Sequence, residues 1–218
     1  MKLVLHNYWR SSASHRVRIG LALKNLEYEY VAVNIVQGAQ RSDEYLRRNP
    51  MAQVPTLEIH EDDGNVFAIT QSLPILEYLD ERFPEVPIMP RDIYLRARTR
   101  GLAEIVNSGI QPHQNLMTTS KLKALGYDDA SWVHGFISEG LLAFARACAE
   151  TAGKFCIGDT PTIADCCLVP QLQSARRFKV ELEGKEPFAQ LLAIEARCLA
   201  LPAFAAAMPH EQPDAVRN

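Results

Sequence analysis

The sequence holds no cysteine in its first 147 residues. The five that follow, Cys148, Cys156, Cys166, Cys167 and Cys198, are odd in number, form no C-x-x-C and match no zinc spacing. No metal site is expected, and any thiol chemistry in the N-terminal half has to come from a bound ligand. The adjacent Cys166 and Cys167 sit in an apolar run and read as buried packing. An excess of one charge is also missing. The formal net charge is -3, which excludes a general drive toward nucleic acid or anionic membranes. No apolar run approaches the length of a membrane span. The opening MKLVLHNYW lacks both an apolar signal core and a small-residue cleavage site. A cytosolic protein is expected. Internal repeats and low-complexity tracts are absent, and beyond residue 92 so is strand-type alternation.

What is present is an ordinary globular composition, 47% hydrophobic over 218 residues, enough for two modest domains. The chain is organised around Tyr8–Lys24, YWRSSASHRVRIGLALK. Lys2–Asn7 reads as a strand, and from about Ser14 the apolar spacing turns helical. Between them lies Arg10-Ser11-Ser12. A strand running into a helix start leaves N–H groups unpaired at the positive end of the helix dipole, a ready site for anions. A serine there can cap the helix, or donate its hydroxyl to a bound thiolate.

Further along, Tyr28–Asn34 reads as a strand, Ser42–Arg48 as a short helix, and Pro55–Ile59 and Asn65–Ile69 as strands joined by Asp62-Asp63-Gly64. An amphipathic helix spans Leu73–Phe83, with Ser72 as its cap and Pro74 in its first turn. The order β-α-β-α-β-β-α resembles the thioredoxin fold. Residues 84–92, with three prolines, read as a linker. Helical segments follow: one long helix Ile93–Asn115, then Asp128–Thr151, Asp159–Gln171 with the capping box Thr162-x-x-Asp165, Pro187–Arg197 and Pro202–Met208. The tail after Pro209 is expected to fray. The reading is an α/β thioredoxin-like domain over residues 1–83, the linker, and an all-α domain over 93–218.

The segments SSASHRVRIGLAL, NPMAQVPTL, ITQSLPILEYL, GIQPHQNL, DTPTIADCCLVPQ and SARRFKVEL resemble the zeta class of the glutathione transferases, over about residues 3–213. That class includes maleylacetoacetate isomerase. The resemblance implies glutathione as cofactor and a homodimer with the helix Ile93–Asn115 as a contact. It places Ser11 at the glutathione sulfur with Ser12 as second donor or cap, and Val54 and cis-Pro55 against the cysteinyl peptide. Gln71 and Ser72 match the γ-glutamyl site, and Gln40 a residue reaching the glycyl end. Gln111, Asn115, Leu116 and Met117 match positions lining the cleft, with Gln111 and Asn115 on one face at i, i+4 spacing. A free thiol is only roughly 3% thiolate at pH 7. Lowering its pKa by about 2 units takes about 2.7 kcal/mol. A helix start supplies roughly 0.3–1 kcal/mol and a hydrogen bond to a charge roughly 1.5–3, so the two together suffice.

The resemblance further implies a dicarboxylic keto-acid substrate, for which arginine is the matching clamp. Arg10 is the first candidate; Arg176 and Arg177 are the second, with the choice between them open. His113 and His15 are possible proton donors, and Arg96, Arg98 and Arg100 read as a solvated face or a subunit contact. Two positions depart from the class: Ala13 and His15 stand where it usually has Cys and Trp. Ala13 argues against a cysteine-based mechanism, and His15 leaves substrate choice more open. The implied function is glutathione-dependent cis–trans isomerisation of maleylacetoacetate to fumarylacetoacetate in aromatic amino-acid breakdown. Maleylpyruvate isomerase, a zeta-class transferase or dehalogenase, and a non-catalytic binding module are the alternatives.

Overall fold

A computed structural model describes residues 1–216. Packing divides the chain into two compact units: Met1–Pro87 with the segment from Pro202 onward, and Ile88–Leu201. The first unit runs β1 (Lys2–Asn7), α1 (Ser12–Leu23), β2 (Glu29–Ala32), α2 (Asp43–Arg48), β3 (Thr56–His60), β4 (Val66–Thr70) and α3 (Ser72–Arg82). This is the thioredoxin-like order expected from the alternation and helical spacing. Strand order in the sheet is β2-β1-β3-β4. β1 runs parallel to β2 and antiparallel to β3, and β3 antiparallel to β4. Period-two alternation sends Leu3, Leu5, Leu57 and Ile59 into one core, closed by Val17 and Leu21 of α1 and Ile75 and Leu79 of α3.

The strand registers position the site. His6 pairs with Thr56, Thr56 with Thr70, and Asn7 with Ala32. The C-terminal ends of β1, β2 and β4 and the start of β3 therefore share one edge of the sheet. The segments that leave this edge are the β1–α1 loop, the loop after β2, the Val54–Pro55 turn before β3, and Gln71–Ser72 after β4.

The end of the chain departs from the expectation. Pro202–Met208 read as part of the helical domain, and the residues after Pro209 as a frayed tail. Instead α10 (Pro202–Ala206) packs on α1 in the first unit, and Pro209–Glu211 forms a 3-10 turn. Gln212 closes α10 by donating to the carbonyls of Ala206 and Met208. The face that receives α10 is encoded nearly the whole chain earlier, so local periodicity carries no sign of it. A buried Lys24 donates to the carbonyls of Phe83 (2.7 Å) and Val86 (2.6 Å), a cation at the C-terminal end of α3.

The second unit is helical: α4 (Ile93–Asn107), α5 (Gln111–Gln114), α6 (Leu116–Ala124), α7 (Asp129–Ala149), α8 (Ile163–Arg177) and α9 (Glu186–Leu199). The single helix expected over Ile93–Asn115 is broken into α4, α5 and the start of α6. At Gly109 an added Cβ would sit 2.6 Å from the Ile105 carbonyl oxygen, and Pro112 has no N–H to continue a helix. The chain turns so that Ile110 packs on α7, where a Cβ at Gly140 would lie 2.3 Å from its Cγ1. The α8 capping box is formed as expected. The Asp165 carboxylate accepts from the amides of Cys156 (2.9 Å) and Thr162 (2.8 Å) and from the Thr162 hydroxyl (3.1 Å). Burial pushes Asp165 up, against these bonds. All five cysteines are reduced and buried, and burial pushes the thiols of Cys156, Cys166 and Cys198 up.

Glu58 on β3 sits among three basic side chains. It lies 3.1 Å from His6, 3.4 Å from His60 and 2.7 Å from Arg48. Burial opposes its charge, but the bond from Arg48 and the neighbouring His6 outweigh this, and the carboxyl titrates below its ordinary range. Such a group stabilises the fold above the unfolded carboxylate pKa, and this is lost as pH falls through the folded value. Replacing Glu58 by Gln is expected to cost roughly 1–3 kcal/mol near pH 7. Denaturant titrations at a series of pH values will show the variant and wild-type curves converging in acid.

Candidate active site

Ser11 stands outside α1 with extended φ and ψ of -70° and 121°, and its Oγ accepts from the Ser14 amide at 3.2 Å. It is the N-cap, and Ser12 is the first helical residue. Capping uses an oxygen lone pair and leaves the hydroxyl proton available, so one serine can cap and also donate to an anion. Ser11 and Ser12 are both half-buried. Arg10 is exposed, with its guanidinium 5.5 Å from the Trp9 ring centroid.

The loop carrying these residues rests on Arg18, which is 1% exposed. Its guanidinium donates to the Asn7 side-chain oxygen (3.0 Å) and to the carbonyls of Tyr8 (3.4 Å), Trp9 (3.0 Å) and Ala207 (3.2 Å). Burial lowers its pKa to about 10, so it remains a cation at neutral pH. From the C-terminal segment, Asp214 accepts from the Trp9 amide (3.2 Å) and from the Tyr30 hydroxyl. Neither Arg18 nor Asp214 was singled out from sequence. The signal for Arg18 was a charge inside the RVRIGLAL run, on a helix that proves buried on nearly every side.

Along the same sheet edge, the Val54–Pro55 bond is cis. Val54 is half-buried, and among the described residues neither its N–H nor its C=O has a hydrogen-bond partner. An unpaired main-chain edge of this kind is what an extended peptide pairs with. Gln71 has a φ of 69°, in the left-handed region where a side chain is strained, and stands as the residue before α3. Its side-chain amide donates to Gln53 at 3.2 Å. Ser72, expected as the cap of α3, is instead its first helical residue. It is 2% exposed, and its hydroxyl oxygen accepts from Arg16 at 3.1 Å. The start of α3 offers its first amides to an anion, with the buried Arg16 charge behind Ser72. Gln40 is buried, with Nε2 donating to the Ile35 carbonyl at 3.3 Å and Oε1 left without a partner.

In the helical unit the arrangement differs from the expectation. Gln111 opens α5, and Asn115 is the N-cap of α6, accepting from the Met117 amide at 2.9 Å. They do not share one helix face, because α5 ends at Gln114 and Asn115 is extended, with φ -66° and ψ 143°. Leu116 and Met117 are exposed. His113 stacks on Phe136 with centroids 3.6 Å apart. His15 lies at 1% exposure, and burial, with the Arg18 guanidinium nearby, pushes it well below its ordinary range, which fits a core residue better than a proton donor. Of the two arginines, Arg176 donates to Glu195 twice (2.7 and 2.6 Å) and to Glu183 (3.2 Å). The Glu195 bonds hold it charged above its ordinary range. Arg177 is exposed, with its guanidinium 4.7 Å from the Phe178 centroid. Arg98 reaches the Ala147 carbonyl and Glu150, so it ties α4 to α7 instead of facing solvent.

The first unit thus brings to one end of the sheet a serine hydroxyl at a helix start, an unpaired main-chain edge at Val54 and a second helix start at Gln71–Ser72. Among the described residues no cluster of His, Cys, Asp or Glu could hold a metal ion. The geometry separates the two serines. Ser11→Ala is expected to destabilise the fold by roughly 0.5–2 kcal/mol through loss of the cap and to raise the pKa of a bound thiol. Ser12→Ala should leave the melting temperature near that of wild type. Thermal melts and the ultraviolet titration of bound glutathione check both.

A family model for the glutathione S-transferase N-terminal domain matches residues 10–82. A maleylacetoacetate isomerase of Dictyostelium discoideum is 42% identical, over 98% of this chain and 96% of its own. A crystal structure of maleylacetoacetate isomerase from Anaeromyxobacter dehalogenans, with glutathione bound in the active site, superposes with a TM-score of 0.91. It is 48% identical, with 99% of this chain and 98% of that one covered. The holo structure of a zeta-class bacterial maleylpyruvate isomerase superposes with a TM-score of 0.89 at 39% identity, covering 98% of this chain and all of the other. The chain therefore belongs to the zeta-class glutathione transferase family that includes the maleylacetoacetate isomerases.

Proposed function

We propose that the protein is a glutathione-dependent cis–trans isomerase, acting on maleylacetoacetate in the cytosol during aromatic amino-acid breakdown. The observation that carries this is the unpaired main chain of Val54, set on the same sheet edge as the Ser11 cap and the strained Gln71. These fit a peptide cofactor whose thiol must be held ionised. When bound, glutathione supplies a nucleophilic sulfur that adds reversibly to the cis double bond, making it single so that it can rotate.

The residues of this chain do the rest. The Ser11 hydroxyl and the start of α1 stabilise the thiolate over the thiol, each supplying part of the energy. Val54 pairs with the cysteinyl peptide, and the start of α3 at Gln71–Ser72 takes the γ-glutamyl carboxylate. Gln40 is assigned to the glycyl end of the cofactor. Gln111 and Asn115 retain a supporting polar role in the helical unit. Arg10 and Arg177 are assigned to substrate carboxylates and to the negative charge that develops on the keto acid. Arg177 is preferred to Arg176 because it is the more exposed of the two. A homodimer belongs to the same reading, supported by the exposed Ile93 and Tyr94 at the start of α4, 84% and 62% accessible.

Side-by-side assays on maleylacetoacetate and maleylpyruvate, with and without glutathione, test the proposal. Turnover only with glutathione supports it, and the kcat/KM ratio assigns the keto acid; turnover without glutathione overturns it. Arg177→Ala is expected to raise the keto-acid KM by roughly tenfold or more, at a smaller stability cost than Arg176→Ala. Arg176→Ala is expected to lower stability by roughly 2–4 kcal/mol, since the buried Glu195 loses its charged partner and keeps the Gln173 amide, with a smaller effect on KM.

A further inference from the structure

The four residues between β1 and α1 carry Arg10 and Ser11, yet local bonds fix only part of them. The Tyr8 amide points to the Ser14 hydroxyl at 3.5 Å, and the Tyr8 carbonyl accepts from the Ser11 amide at 3.0 Å. The Trp9 peptide groups are held entirely from outside the loop: Asp214 takes the N–H, and Arg18 donates to the C=O. Arg18 is in turn tied to the Ala207 carbonyl. The C-terminal segment therefore reaches the loop twice, once through Arg18 and once directly.

We propose that Asp214 is a positioning residue: by holding the Trp9 amide it fixes the β1–α1 loop, and with it the Ser11 hydroxyl and the Arg10 side chain, in the geometry the reaction uses. This rests on the glutathione-dependent reading of the site. Asp214 is the member of the network whose loss the fold can survive. It is half-buried, whereas removing the buried Arg18 would take the donor from the Trp9 and Ala207 carbonyls and the Asn7 side-chain oxygen, and leave the Tyr8 carbonyl with the Ser11 amide. Tyr30 steadies Asp214 by donating its hydroxyl to the second carboxylate oxygen. Nothing in this network touches Val54, Gln71 or the start of α3, so cofactor affinity and thiol chemistry should separate.

The test compares wild type, Asp214→Asn, Asp214→Ala and Tyr30→Phe. In Asp214→Ala, kcat is expected to fall by about tenfold to a hundredfold, and the pKa of bound glutathione's thiol to rise. The KM for glutathione should stay within about twofold, since its anchoring groups are untouched. Asn keeps one acceptor oxygen and should recover part of kcat; Tyr30→Phe should fall between wild type and Ala. A readout without ligand accompanies these: the Trp9 amide should exchange with solvent at least about tenfold faster in Asp214→Ala. Unchanged kcat and unchanged thiol pKa in a folded Asp214→Ala overturn the proposal, as does unchanged Trp9 exchange. So does a loss of glutathione binding as large as the loss of kcat, which would mark a collapsed site. If wild type itself turns over no keto acid, the functional reading fails, and Trp9 exchange with the thiol titration still decides the role of Asp214.

Discussion

A buried guanidinium bonded to uncharged oxygens is the constraint on which the first unit depends. Arg18 gives up its hydration and recovers it as four bonds, from Asn7, Tyr8, Trp9 and Ala207. Hydrogen bonds to a charged group contribute roughly 1.5–3 kcal/mol each, enough together to offset the burial of one charge. The carbonyls it gathers come from a strand end, from the loop after it and from the C-terminal segment. Removing the charge would release all three. The geometry of the serine loop is thus set from beneath, by a residue that need never meet a ligand.

The two helix starts of the site are braced in a related way. Arg16, two residues before Arg18 on α1, donates to the Ser72 hydroxyl at the first position of α3. Both residues are almost fully buried. The element that would hold a thiol and the element that would hold a carboxylate are joined through the interior, not through the surface they present. Two ends of one ligand can then be held at a fixed separation without loop ordering at each binding event.

Much of this was legible in the sequence where the cause was local. Alternation and helical spacing gave the strand and helix order of the first unit, and the Thr162–Asp165 spacing gave the start of α8. The anion-binding character of Arg10–Ser12 followed from a strand running into a helix. Other features failed for identifiable reasons. The break after Asn107 was written in Gly109 and Pro112, but apolar spacing across Leu102, Val106 and Ile110 masked it. Arg16 and Arg18 were lost because a charge on a helix is read as solvated unless the helix is known to be covered on every side. The docking of α10 and the role of Asp214 depend on partners at the other end of the chain. Arg176 and Arg177 could not be told apart, since the difference is the carboxylate of Glu195 on another helix.

The distribution of cysteine carries one more consequence. The unit that offers a glutathione site contains none at all, and the five in the helical unit are buried, with three of the thiols held up in pKa by their surroundings. Exchange with a disulfide needs a thiolate that can reach the sulfur under attack. A folded chain of this design offers oxidised glutathione no sulfur to attack it with. Swings in the redox poise of the surrounding pool should therefore change the supply of the cofactor without leaving mixed disulfides on the enzyme.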